Sequence, residues 1–219
     1  MILEIKNLSK SFIDGKKTLN VLKNINLSID QGSIITIKGP SGSGKSTLLS
    51  LIGTLDKPNK GEVIFDNENI DSIKDLNRFR NDKIGYIFQF HNLISELSLK
   101  ENVILPREIS RKKVDHQEIK DLFKFFELDD RMHSYPNDLS GGEKQRVSVM
   151  RAIINQPSIV IADEPTGNLD QENVFKMIDL FKKLNNEHNL TFIIATHDNE
   201  VFSIGDIKLQ LKEGHLKNI

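Results

Sequence analysis

A mainly parallel α/β fold is predicted by two apolar runs and one glycine-rich segment. Ser158 to Ala162 and Leu190 to Ala195 are short and apolar without polar alternation, the pattern of strands buried on both faces, and the helix-length segment Gln171 to His188 lies between them. A third run, Ser33 to Lys38, leads into Gly39-Pro40-Ser41-Gly42-Ser43-Gly44-Lys45-Ser46-Thr47, after which Leu48, Leu49 and Ile52 recur at helical spacing. Strand-loop-helix followed by strand-helix-strand is the order that builds a parallel sheet.

The remaining elements follow from local pattern. Alternation at Ile2 to Lys6 and at Ile25, Leu27 and Ile29 predicts two strands, and Gln31-Gly32 turns the chain into the run that begins at Ser33. Gly53 ends the helix after the glycine-rich segment, Asp56 to Gly61 is rich in turn formers, and Glu62 to Asp66 and Lys83 to Phe88 read as further strands. From about Asn92 to Asn155 the pattern is mostly helical, with Val147, Met150 and Ile154 on one face. Asp206 to Lys212 is strand-like and a turn follows at Gly214. With no repeat and no linker-like tract, residues 1–219 read as one domain with a helical lobe at about 90–155.

Composition narrows the function classes. Of 219 residues, 37% are hydrophobic and 28% charged, enough apolar matter for a core. A net charge of -1 lacks the basic footprint of a nucleic-acid binder, so no nucleic-acid partner is predicted. No stretch approaches the roughly 20 apolar residues of a membrane helix, and the start MILEIKNLSK lacks the apolar centre of a signal peptide, so a soluble cytoplasmic chain is expected. The absence of cysteine removes disulfides and thiolate metal sites.

Three segments carry chemistry. Gly39 to Thr47 satisfies the phosphate-loop pattern: its glycines let successive backbone N–H groups face a polyphosphate, Lys45 adds a point charge, and the Ser46 hydroxyl suits Mg2+. Asp163 and Glu164 are adjacent carboxylates at the end of a buried run, where mutual repulsion and lost hydration call for a cation. Asp163 would hold Mg2+, and Glu164 would polarise the attacking water. In Leu139 to Arg146 (LSGGEKQR), Ser140 and Glu143 have the spacing of a capping box. Capping leaves Gly141 and Gly142 unaccounted for, and they suit the close approach of an anion. Because the phosphate loop already occupies one end of the nucleotide, this second phosphate-facing segment predicts a head-to-tail homodimer with two shared sites.

These segments together resemble the ATP-binding-cassette family of transporter ATPases, over essentially the whole chain. The resemblance implies a phosphate-loop NTPase core with a mainly parallel sheet, an antiparallel β subdomain and a helical subdomain. It also implies ATP hydrolysis with ATP and Mg2+ bound. Carried onto this sequence, Gln89 becomes a magnesium-shell contact that reports nucleotide state to the helical lobe, Asp170 in GNLD a dimer-interface residue, and His197 a contact to the γ-phosphate. Phe12 falls at the place of an adenine-stacking aromatic. The family further implies separate transmembrane permease subunits and a peripheral position on the cytoplasmic side of the cell inner membrane. Phe88 to Pro106, FQFHNLISELSLKENVILP, with GTLDKPNKGEVIF and ADEPTGNLD, is similar to the lipoprotein-releasing LolD type, which moves lipoproteins from the inner towards the outer membrane; MacB-type exporters and FtsE-type cell-division ATPases share much of this pattern. Arg111-Lys112-Lys113 reads as a solvated basic face.

Overall fold

The computed structural model describes residues 1–15 and 17–219, and places them in two sheets and seven α-helices. The N-terminal strands β1 (Leu3–Asp14) and β2 (Lys17–Ile29) form a long antiparallel hairpin, and β4 (Lys60–Phe65) and β5 (Glu68–Asn69) join it in the order β2-β1-β4-β5. The second sheet contains β3 (Ile34–Lys38), β6 (Ile84–Phe88), β7 (Ile159–Asp163), β8 (Thr191–Ala195), β9 (Ile207–Lys212) and β10 (His215–Asn218). Its order is β10-β9-β3-β8-β7-β6, parallel throughout except where β10 folds back on β9. This is the predicted parallel core with the implied antiparallel subdomain.

Both faces of the parallel sheet are covered, which is why its strands show no alternation in sequence. Ile35, Ile37, Ile161 and Ile193 pack on one face with Leu48 and Leu49 of α1 (Lys45–Ile52) and with Leu3 and Ile5 of the antiparallel sheet. Ile34, Val160, Phe192 and Ile194 pack on the other, against α5 (Gly141–Ile153) and α6 (Gln171–His188) through Val147, Met150 and Phe181. Each fully buried aliphatic side chain contributes about 1.5–3 kcal/mol, so the two layers dominate the stability of the domain.

The helical lobe consists of α3 (Leu99–Ile109), α4 (His116–Phe125) and α5. Arg107 ties all three together: Nε donates to Ile154 O at 3.0 Å, just past α5, and Nη2 donates to Glu118 Oε1 at 2.6 Å on α4.

Several elements differ from the sequence reading. The hairpin strands run well beyond Ile2–Lys6 and begin well before Ile25, because residues such as Ile13 and Leu19 are exposed and the apolar alternation dies away while pairing continues. α2 (Leu76–Lys83) shows no sequence period because none of its side chains is fully buried; its start is fixed by Asp75, which accepts from Arg78 N, and Lys83 belongs to its end rather than to β6. α7 (Asn199–Ser203) is too short to show a period.

Candidate nucleotide site

Four strands of the parallel sheet end at one level. Phe88 of β6 lies opposite Asp163 of β7, Asp163 opposite Ala195 of β8, and Ala195 opposite Ile37 of β3. The loops that follow therefore open together at the carboxyl edge, where open α/β sheets bind ligands.

From β3 comes the phosphate loop. Gly44, the residue before α1, has φ 102°, a left-handed conformation that glycine adopts without a Cβ penalty, and no side chain caps the helix. The first amides of α1 and its positive dipole end thus face the cleft. Lys45 Nζ donates to Gly39 O at 2.9 Å and stands 3.6 Å from Glu164 Oε1.

From β7 come Asp163 and Glu164. Burial raises the Asp163 pKa above its ordinary value; the Ser46 hydroxyl works against that, the charge of Glu164 adds to it and Lys45 opposes it. A carboxylate costly to ionise in the bare chain, beside a hydroxyl, suits a hard divalent cation, and Ser46, Asp163 and Gln89 offer the oxygen donors that Mg2+ prefers. Glu164 has φ 49°, an uncommon conformation for a residue with a Cβ that costs about 1–2 kcal/mol. Its N–H donates to Ala195 O at 2.9 Å, and its carboxylate is turned so that Oε2 accepts from His197 N at 3.1 Å and lies 2.7 Å from His197 Nδ1. Glu164 is therefore held between Lys45 and His197.

Gln89 follows β6, and its carbonyl accepts from Asn168 Nδ2 at 3.1 Å. Together Gly39, Ser41 to Thr47, Gln89, Asp163, Glu164 and His197 line an open cleft of about 630 Å³. Val21, on β2, forms part of its wall; no motif marks it in the sequence.

Among the described residues, Phe12, Pro40, Ser140, Gly141, Gly142 and Asp170 do not line this cleft. Phe12 sits opposite Leu19 in the hairpin and is 41% exposed, which removes core packing as its role; Lys10 Nζ lies 5.0 Å from the ring centre. Ser140 caps α5 as the spacing predicts, with Oγ accepting from Glu143 N at 3.3 Å and Glu143 Oε2 accepting from Ser140 N at 2.8 Å. Hydrogen bonds from Ser140 hold the Glu143 carboxyl below its usual range.

The two glycines that follow differ in their surroundings. Gly142 is buried, and a Cβ there would stand 2.4 Å from Asn173 Oδ1. Asn173 is fixed in turn by Asp170, the N-cap of α6, whose Oδ1 accepts from both Asn173 N and Nδ2 at 2.9 Å. Gly142 is thus required by packing inside one chain, through a residue that sequence reasoning missed. Gly141 is exposed, and a Cβ there would meet nothing nearer than 3.9 Å.

A phosphate loop between β3 and α1, with an acidic pair at the end of β7, defines a phosphate-loop ATPase. The ABC transporter family model matches residues 22–167, and the chain belongs to that family, as the ATP-binding subunit of an ABC transporter. It is 47% identical to the lipoprotein-releasing system ATP-binding protein LolD of Cytophaga hutchinsonii, over 90% of this chain and 92% of the relative. It is 42% identical to the ABC transporter ATP-binding protein YtrE of Bacillus subtilis, over 99% and 97%. Among solved structures it is similar to the dimeric post-hydrolysis state of the ATP-binding cassette MJ0796 bound to ADP and Pi, with a TM-score of 0.90 and 40% identity over 100% of this chain and 98% of that one. The protein of that name is from Methanocaldococcus jannaschii.

Proposed function

We propose that two copies of this chain close head to tail around two ATP molecules and power lipoprotein release from the inner towards the outer membrane. One observation carries the shared site: Ser140 and Gly141 are exposed at the start of α5, outside the cleft that contains Lys45. A phosphate-facing helix start that cannot serve its own cleft serves that of a second copy.

Within the cleft, Lys45 would exchange its contact with Glu164 for the phosphates. Glu164, oriented by His197, would then accept a proton from the attacking water, a role typically worth about 10²–10⁴ in rate. Bound Mg2+, held by Ser46, Asp163 and Gln89, would screen the phosphate charge. Phe12 offers a ring face for adenine at the edge of the hairpin.

No helix among the described residues is long and apolar enough to cross a membrane, and the relatives named as ATP-binding proteins of larger systems support separate permease subunits as partners. Leu55, Arg80, Phe88, Ile109 and Arg151 line an open groove of about 420 Å³ between α2 and α3, and Leu55 and Ile109 are exposed apolar side chains there. This groove suits an amphipathic permease helix and would hold the chain on the cytoplasmic side of the inner membrane.

The LolD relatives support lipoproteins as the cargo. The similar identity to YtrE supports a second reading, an ATP-binding subunit serving another permease, of which the MacB and FtsE kinds are the alternatives that share the sequence pattern. Purification of the membrane complex decides between them: a permease that releases acylated proteins in an ATP-dependent manner is expected, and association with cell-division proteins alone would contradict the cargo.

A further inference from the structure

The last residue of β6 and the segment after it present four backbone carbonyls, each taken up by a side chain from elsewhere. Phe88 O accepts from Gln145 Nε2 at 3.4 Å and Gln89 O from Asn168 Nδ2 at 3.1 Å. His91 O and Asn92 O accept from Arg151 Nη2 and Nη1, both at 2.8 Å. Gln145 and Arg151 both belong to α5. Asn92 has φ 49°, so the segment bends sharply at the point where Arg151 grips it. Burial pushes the Arg151 guanidinium below its ordinary pKa, and among the described residues no carboxylate pairs with it. A guanidinium partly withdrawn from water without a counter-ion is stabilised by the carbonyls it finds, and its planar fork fixes both of them at once.

We infer that Arg151 is a positioning residue that makes the Gln89 segment and α5 one mechanical body. Gln89 faces the cleft, and the same helix that holds its neighbours Phe88, His91 and Asn92 begins at Ser140 and Gly141, which stand exposed. Arg151 also lines the groove proposed for the permease. A displacement of the groove or of Gln89 is therefore passed through α5 to the helix start that faces the second copy. The inference rests on the role proposed above for Gln89.

A double-mutant cycle on the full chain, reading kcat and KM for Mg-ATP hydrolysis, tests it. Gln89→Ala should lower kcat by about 10²-fold, and Arg151→Gln by about tenfold with KM within about twofold, because binding through Lys45 is untouched. The double variant should be no slower than Gln89→Ala, since Arg151 acts through that segment. Arg151→Lys, which keeps the charge without the fork, should lose about threefold, and it replaces Arg151→Gln in the cycle if the latter does not fold. Losses that multiply in the double variant would overturn the inference while leaving Gln89 its role. A Gln89→Ala chain with wild-type kcat would remove that role, and the inference with it.

Discussion

Asn173 Oδ1 occupies the space that a Cβ on Gly142 would need, 2.4 Å from it, so the start of α5 and the start of α6 are fitted to each other through one amide. Gly142→Ala is therefore expected to destabilise the chain by about 1–3 kcal/mol, the usual cost of overpacking. Asn173→Ala in the same chain should recover part of that loss, because it removes the colliding atom while the backbone of residue 173 keeps its bond to Asp170. Thermal melting of the single and double variants checks this; additive losses would contradict the contact.

Asp163 gives a stability prediction with a definite sign. Its folded pKa lies above its unfolded value, so the folded chain holds the proton more tightly. Stability from this group is fullest below the unfolded pKa and falls as pH rises towards the folded one. Asp163→Asn should then raise the melting temperature of the nucleotide-free protein at pH 7, by the ~0.5–2 kcal/mol common for relief of a strained functional group, while abolishing Mg-dependent hydrolysis. The gain should shrink as the comparison is moved to acid pH. A variant less stable than wild type at pH 7 would refute the account of Asp163.

Glu164 and His197 should behave as a unit. Glu164→Gln is expected to lower kcat by at least about 10²-fold, and His197→Ala to lower it on its own by releasing Glu164 Oε2. In the Glu164→Gln background His197→Ala should add little on kcat. Steady-state kinetics of the three variants measures this, and independent losses would mean that His197 does not act through Glu164.

Asn102 is fully buried and organises the loop before α3: Oδ1 accepts from Ile94 N at 2.8 Å, and Nδ2 donates to Ile94 O, Leu97 O and Ser98 O at 3.0–3.1 Å. Asn102→Ala should cost about 1–3 kcal/mol, because Ile94 N and Leu97 O lose their side-chain partner together, while Ile94 O and Ser98 O keep backbone donors. Hydrogen exchange should accelerate at Ile94 to Ser98 before it does in the parallel sheet; uniform acceleration would argue against a local role.

Much of this was legible in the sequence because it is written in local pattern. The buried runs around Ile161 and Ile193, the phosphate loop and the capping box of Ser140 each follow from residues close together in the chain. α6 was read with its observed ends, Gln171–His188, since Asp170 caps it and its apolar period is sustained. What escaped depends on residues far apart. Val21 reaches the cleft only because the long hairpin folds over α1, Asn173 matters only because α5 and α6 begin side by side, and the carbonyl contacts of Arg151 span about sixty positions. α2 escaped for the opposite reason: an amphipathic pattern needs several apolar residues on one face, and α2 packs on the core through the half-buried Phe79 with no fully buried side chain.

The central claim is that one chain cannot complete its ATP site. Gly141 is the position that tests it, since a Cβ there meets nothing nearer than 3.9 Å in its own chain and the substitution should leave folding intact. The decisive measurement is the solution mass of Glu164→Gln with ATP, with and without Gly141→Ala. The account predicts a dimer of twice 24.9 kDa for Glu164→Gln and a monomer with an undiminished melting temperature for the Gly141→Ala, Glu164→Gln chain. A Glu164→Gln chain that stays monomeric in saturating ATP, or a doubly substituted chain that dimerises as well as Glu164→Gln, would contradict it.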